Sequence, residues 1–207
     1  VLPQYISIYL LPLGNPLSSF QLFQDWVEST GVDGAALHGG MLWSPTDQVF
    51  DQQQDLGLGV ELLEELLELT EGYPNFKAFC IKTSRYSESG SHPVDALTFG
   101  LGELVEILDR VSCAPRTVFE KLFLETAVGE HHFGEVGRQL AFRQLVQNLA
   151  LLYQVELEEQ ELLLFCQTAH WSQSILDAHT NTIRQTYQAL SAVLGGANVL
   201  LVKPLDE

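Results

Sequence analysis

The sequence predicts an α/β protein built from alternating, parallel strand–helix units, and three observations carry that prediction. Six short runs of β-branched, aromatic and other apolar residues alternate with five main stretches of helical periodicity, with no hairpin signal between neighbouring strands. The 207 residues divide into units of about 35, the usual size of a βαβ step. Several strands are apolar throughout, as burial on both faces requires. Two architectures satisfy these observations: an open doubly wound sheet, and part of a (β/α)8 barrel.

Residues 5–11 (YISIYLL) form the first strand, broken by Pro12, Gly14, Asn15 and Pro16. Ser18 or Ser19 caps a helix that runs to Thr30, with Phe20, Phe23, Trp26 and Val27 on one face and Gly31 as its stop. Residues 33–38 (DGAALH) read as a short strand, followed by a long loop to Asp55 of the kind that is either functional or poorly ordered. The helix 58–72 has a wet side of Glu61, Glu64, Glu65 and Glu68 and a dry side of Leu62, Leu66 and Leu69. The strand 76–83 follows, then a polar turn at 84–90 (SRYSESG). A helix opens at His92-Pro93 and continues to about Val111, its dry face including Leu97, Leu101, Leu104, Ile107 and Leu108. A short helical piece at 116–121 leads into the strand 122–128 (LFLETAV). The long helix 133–155, the strand 161–168 (ELLLFCQT), a helix from Thr180 to Leu194 and a closing strand 198–203 complete the chain. In the helix 180–194, Ile183, Tyr187, Leu190, Ala192, Val193 and Leu194 recur at helical spacing. Asp177 or Thr180 caps its start, and Gly195-Gly196 ends it.

At this length the chain suits one domain over residues 1–207, and a hydrophobic content of 46% is ample for a core. Its net charge of −17 repels a phosphate backbone or an anionic membrane surface, so neither nucleic acid nor membrane is an expected partner. The acidic runs at 61–71 and 156–161 read as solvated helix faces. Cys80, Cys113 and Cys166 are an odd count without ligand spacing, which points to reduced thiols and a cytoplasmic setting. No apolar run approaches membrane-spanning length, and no secretion signal is visible. The chain opens at Val1 almost directly on a strand, as a segment of a longer protein would.

Nucleotide-binding and hydrolytic motifs are absent: GLGVEL near Gly57 has only two of the three dinucleotide-loop glycines, and there is no P-loop, GxSxG elbow or HExxH. The histidines show no metal-ligand spacing. If the chain is a barrel enzyme of ordinary kind, its site lies at the C-terminal strand ends, where Glu125, Thr126, Gln167 and Thr168 are the polar residues.

The stretch 167–207 carries a more specific pattern: QTxxWS, then Asp177, Asn181, IRxT with Arg184 and Thr186, then Gly195-Gly196 and a closing Leu205-Asp206-Glu207. It resembles the late barrel segment of the adenosylcobalamin-dependent acyl-CoA mutases, the methylmalonyl-CoA mutase family above all. Two upstream stretches are similar to the same barrel. One is 76–111, with its turn Tyr86-Ser87-Glu88-Ser89-Gly90. The other is 128–146, where Phe133, Glu135, Ala141 and Arg143 fit a helix of pattern E-[IV]-A-K-x-R-A-x-R. The resemblance spans roughly residues 5–207 and is best at the end. It implies part of a (β/α)8 TIM barrel with about six strands present, and a family reaction that interconverts methylmalonyl-CoA and succinyl-CoA with adenosylcobalamin.

The departures imply a non-catalytic role, most like that of the family's small subunit. Where catalytic members carry a His after the turn tyrosine, this chain has Ser87, which cannot act as a general acid near neutral pH. The family's Gly-Thr-Ile-Gln-Asn-Asp loop appears as Gly39-Gly40-Met41-Leu42-Trp43, without the substrate-facing Gln, and the Lys of the A-K pair is Arg138. Ala114-Pro115-Arg116 resembles a CoA-side motif. The cobalamin domain's DxHxxG is missing, since Asp177-Ala178-His179 continues without the Gly. On this resemblance no catalytic residue is assigned, and Arg116, Arg143, Gln167, Thr168 and Arg184 are the candidates for substrate or CoA binding. No adenosylcobalamin binding is expected of the chain alone. The expected partner is a catalytic mutase subunit, as a heterodimer, or a second copy.

Overall fold

A computed structural model describes residues 2–175 and 177–204, so the Leu205-Asp206-Glu207 part of the sequence pattern lies outside the described residues. Strands and helices alternate along the chain. The strands form a three-stranded sheet of order β1-β2-β3 (Ser7–Leu10, His38–Met41, Phe76–Lys77). A four-stranded sheet has order β4-β5-β6-β7 (Phe79–Lys82, Leu122–Val128, Leu164–Thr168, Val199–Leu201). The strands pair in parallel, β1 with β2, β2 with β3, β5 with β6 and β6 with β7 in chain order. This is the alternating parallel α/β arrangement of a partial α/β barrel. The chain divides into two compact units, Val1–Ile81 with Leu104–Phe123, and Lys82–Glu103 with Leu124–Glu207.

In the first unit, α1 (Pro16–Thr30) starts at Asn15, not at Ser18 or Ser19: the Asn15 side chain accepts the Leu17 N–H, and Pro16 takes the position that needs no donor. Gly31 ends the helix in the left-handed conformation, as its sequence position predicts. Phe20 and Phe23 of α1 pack on Phe76 with ring centroids 5.6 and 5.3 Å away, and Tyr73 meets Phe20 edge-on. Trp26, expected on the buried face, is 42% exposed.

The second strand is displaced from its expected place. Residues 33–38 include a 3-10 turn (Gly34–Ala36) capped by Asp33, and β2 begins only at His38. Gly39 explains the shift: at φ 147° its backbone approaches β1 so closely that a Cβ would lie 1.8 Å from the Ile8 carbonyl oxygen, a position open only to glycine. The loop that follows is not poorly ordered. Trp43 is buried, Asp47 accepts the Ser44 N–H at 3.0 Å, and a short α2 (Asp47–Phe50) interrupts it. α3 (Leu56–Leu69) buries Val60, Leu63, Leu66 and Leu67, so its dry face is turned about one residue from the Leu62-Leu66-Leu69 stripe. At its end, Lys121 of α6 (Pro115–Lys121) donates its ammonium to the carbonyls of Thr70 and Tyr73 at 2.7 and 2.8 Å.

The second unit contains α4 (Ser84–Glu88), the start of α5 (Pro93–Leu108), α7 (His132–Leu152) and α8 (Ala178–Leu194). α4 replaces the expected polar turn, and its serine hydroxyls point back along it, Ser87 donating to Thr83 O at 3.4 Å and Ser89 to Arg85 O at 2.7 Å. α8 begins at Asp177, whose carboxylate accepts the Thr180 N–H. Its orientation departs from the usual amphipathic rule. Asn181, Gln185, Gln188 and Ser191 face inward, and of the six apolar residues at helical spacing only Ala192 is buried.

All three cysteines are free, with Cys80 and Cys166 buried as small apolar side chains. Among the described residues, no helix is long and apolar enough to cross a membrane.

A candidate functional site of buried polar side chains

β5 is buried along its whole length, and its one carboxylate, Glu125, is 3% exposed. Two donors hold it. The Ser84 hydroxyl, just beyond the end of β4, donates to Oε2 at 2.6 Å, and the Gln167 amide of β6 donates to Oε1 at 2.8 Å. Parallel pairing explains the second contact, because the register sets Ala127 opposite Gln167 and so brings the two strands' polar residues within reach. Burial pushes the Glu125 carboxyl above the ordinary carboxylate range, while the Ser84 hydroxyl and the charges of Lys82 and Lys203 pull the other way.

The neighbouring predicted residues are also engaged. Thr168 is fully buried, and its hydroxyl accepts the Lys203 backbone N–H at 2.9 Å. Ser87 accepts from Arg138 Nη1 at 3.3 Å. Arg138 is itself buried, and its guanidinium forks between Glu135 Oε2, 2.9 Å from Nε, and the Ala127 carbonyl. A lysine's single ammonium has no such fork, which is the physical content of arginine at this position. Next along α7, Gln139 spans Glu135 O and Ser191 O through Nε2 and takes the Cys166 thiol on Oε1 at 3.3 Å. Burial pushes that thiol up to about 12, far from a reactive thiolate.

The other candidates do not join this cluster. Arg143 donates to the Gly196 carbonyl and to Asn198 Oδ1, both at 2.6 Å, tying α7 to the turn after α8. Arg184 lies 3.5 Å from both Glu130 and Asn181. Arg116 belongs to the first unit, on α6, where it pairs with Glu120 at 2.7 Å.

Glu88, not singled out from the sequence, accepts the N–H groups of His170 and Trp171 at 2.9 and 3.0 Å and lies 3.7 Å from Lys203. The signal available was its place as the one acid in SRYSESG. Ser84 and Arg138 were legible only as residue types, because what they touch comes from other strands. Tyr86, the turn tyrosine, donates its hydroxyl to Glu103, and burial followed by that carboxylate raises its pKa.

The arrangement is a chain of mutually satisfied polar groups. Substrate recognition would have to break pairs that already exist. Nor do residues 177–179 fit a cobalt-ligating motif, because the Asp177 carboxylate is committed to the start of α8. Among the described residues there is no cluster of His, Cys, Asp and Glu that could hold a metal ion.

Comparison with known proteins identifies the family. The family model described as methylmalonyl-CoA mutase matches residues 51–207. The methylmalonyl-CoA mutase small subunit of Porphyromonas gingivalis is 23% identical over 193 residues, which cover 89% of this chain and 31% of that protein. The mitochondrial methylmalonyl-CoA mutase of Homo sapiens is 25% identical over 154 residues, 72% of this chain and 20% of that protein. A methylmalonyl-CoA mutase of Rhizobium meliloti is 26% identical over 153 residues, 72% of this chain and 22% of that protein. The chain therefore spans between a fifth and a third of the length of these relatives.

Proposed function

Because the chain belongs to the methylmalonyl-CoA mutase family, we propose that it acts as a non-catalytic barrel element of a mutase assembly that interconverts methylmalonyl-CoA and succinyl-CoA. One observation carries this reading: the polar side chains expected at a substrate are bonded to one another instead. Gln167 is held by Glu125, Thr168 accepts from Lys203, and Ser87 stands beside Arg138 where an acidic imidazole would be needed. The role left to these residues is to fix the ends of the strands. In this reading residues 1–207 are one partial barrel domain of a cytoplasmic protein.

Adenosylcobalamin would supply the radical chemistry in the assembly and would be held by another domain or chain. The partner is a catalytic mutase subunit, in a heterodimer, or a second copy. Arg116, Arg143 and Arg184 are the cations available for any residual affinity toward the phosphates of an acyl-CoA, and each would first exchange an existing partner.

The test is direct. Purified chain is incubated with adenosylcobalamin and methylmalonyl-CoA, and succinyl-CoA is measured by mass spectrometry, with a cobalamin absorbance titration in parallel. The expected result is no isomerisation and no spectral shift. Turnover by the purified chain would overturn the non-catalytic reading.

A further inference from the structure

Three parts of the second unit meet beyond the carboxyl ends of its strands. Glu88 closes α4, the helix after β4; His170 and Trp171 follow the end of β6, and Lys203 follows the end of β7. Open α/β sheets and barrels alike bind their ligands at this end.

Together these parts build a receptor for an oxyanion. The backbone N–H groups of His170 and Trp171 are consecutive, yet both donate to one carboxylate. His170 N–H reaches Glu88 Oε1 at 2.9 Å and Oε2 at 3.2 Å, and Trp171 N–H reaches Oε2 at 3.0 Å. Successive N–H groups converging on one anion form a nest, a concavity of the main chain that favours negative charge. The Lys203 ammonium stands 3.7 Å from Oε1 and adds a full positive charge to it.

Nothing in this receptor is particular to glutamate. The two main-chain donors read the pair of oxygens of a carboxylate, not the side chain that carries it. Residues 162–204, which supply all three donors, hold Arg184 and Lys203 against the single acid Asp177, in a chain of net charge −17. The anion therefore comes from elsewhere, and in the folded chain α4 delivers it. The side chains of Lys203 and Glu88 are 16 and 24% exposed, so the site reaches solvent and does not lie sealed in the core.

We propose that His170 N–H, Trp171 N–H and Lys203 Nζ form a carboxylate-binding site whose resident occupant is the chain's own Glu88. This tethered ligand keeps the site closed and latches the loop after β6 onto α4, and an external carboxylate enters only when Glu88 leaves. The site does not depend on the assembly proposed above.

Formate is the probe. Glu88→Ala of the 207-residue chain empties the site, and amide NMR titration should show saturable shifts at His170 and Trp171. The dissociation constant should be on the order of 10 mM, within reach of a ligand of so few non-hydrogen atoms. Hydrogen exchange at both amides should speed up by about tenfold or more in Glu88→Ala and return toward the parent rate in saturating formate. Formamide, of similar shape but uncharged, should do neither, and inorganic phosphate should bind more weakly than formate. The parent should show no shift at about 100 mM formate, because the tethered carboxylate outcompetes it. Adding Lys203→Met to Glu88→Ala should weaken formate severalfold. Should Glu88→Ala fail to fold, Glu88→Gln, isosteric but uncharged, carries the test through faster exchange at the same two amides. Amides that ignore formate, rescue by formamide as well as formate, a preference for phosphate, or unchanged exchange in Glu88→Gln would each overturn the proposal. None of these arms measures turnover, so their failure is distinct from failure of the non-catalytic reading.

Discussion

Replacing Arg138 by Met should be among the most damaging single substitutions in the second unit. The side chains of Arg138 and Glu135 are 5 and 8% exposed, so truncating one leaves the other charged and buried without its counter-ion. Breaking a buried pair in this way costs about 3–5 kcal/mol. The Ala127 carbonyl loses its donor at the same time, and that loss is contained within the same figure rather than added to it. Against a total stability of about 5–15 kcal/mol, roughly a fifth or more disappears. The double substitution Arg138→Met with Glu135→Leu removes both charges and leaves the Ala127 carbonyl with only the long Thr126 hydroxyl contact at 3.5 Å, for about 1–3 kcal/mol. Its cost should therefore fall below that of Arg138→Met alone and far below the sum of the two singles. Urea unfolding followed by far-ultraviolet circular dichroism measures all three variants, with an unchanged denaturant slope as the sign that only stability has moved. Arg138→Met within about 0.5 kcal/mol of the parent, a value typical of inert surface positions, would refute the assignment of a buried ion pair. Additive singles would refute the coupling.

Glu125 gives a pH dependence. Its carboxyl is raised in the folded state, so as pH rises the unfolded chain releases this proton first, and stability falls from the ordinary carboxylate range up to the folded pKa and is level beyond. Glu125→Gln should abolish that decline and be the more stable form at neutral pH; parallel stability curves for the two proteins would contradict this. Ser87→His puts an imidazole into a buried site beside the Arg138 guanidinium, so it should lower stability by about 1–3 kcal/mol and restore no isomerisation, as melting and turnover assays would report. Gly39→Ala should prevent folding of the β1–β2 pair, read as loss of soluble, cooperatively melting protein, because its Cβ overlaps the Ile8 carbonyl. Alkylation without reductant should label three thiols in urea, with Cys80 and Cys166 protected in the native state; fewer than three in urea would reveal a disulfide.

The sequence by itself determined the class of fold, since strand and helix periodicities are local properties of the chain and the order of elements follows from them. Gly31 as a stop and Asp177 as a cap were equally legible, because each acts on backbone within three residues of itself. The departures arise where distant chain intervenes. Residues 33–38 lost their strand to His38–Met41 because Gly39 alone lets β2 approach Ile8. Gln167 and Thr168 were identifiable as polar strand-end residues, but their partners Glu125 and Lys203 lie 42 and 35 residues away, and parallel register brought them together. α8 shows the division most sharply. Its periodicity announced a helix with one apolar face, and only tertiary structure decided that this face points outward. The spacing of side chains fixes which residues share a face; which face turns inward depends on the partners waiting there, and here those partners are His132, Ser172 and the Lys203 carbonyl, which bond to polar residues and would be left unsatisfied by an apolar stripe.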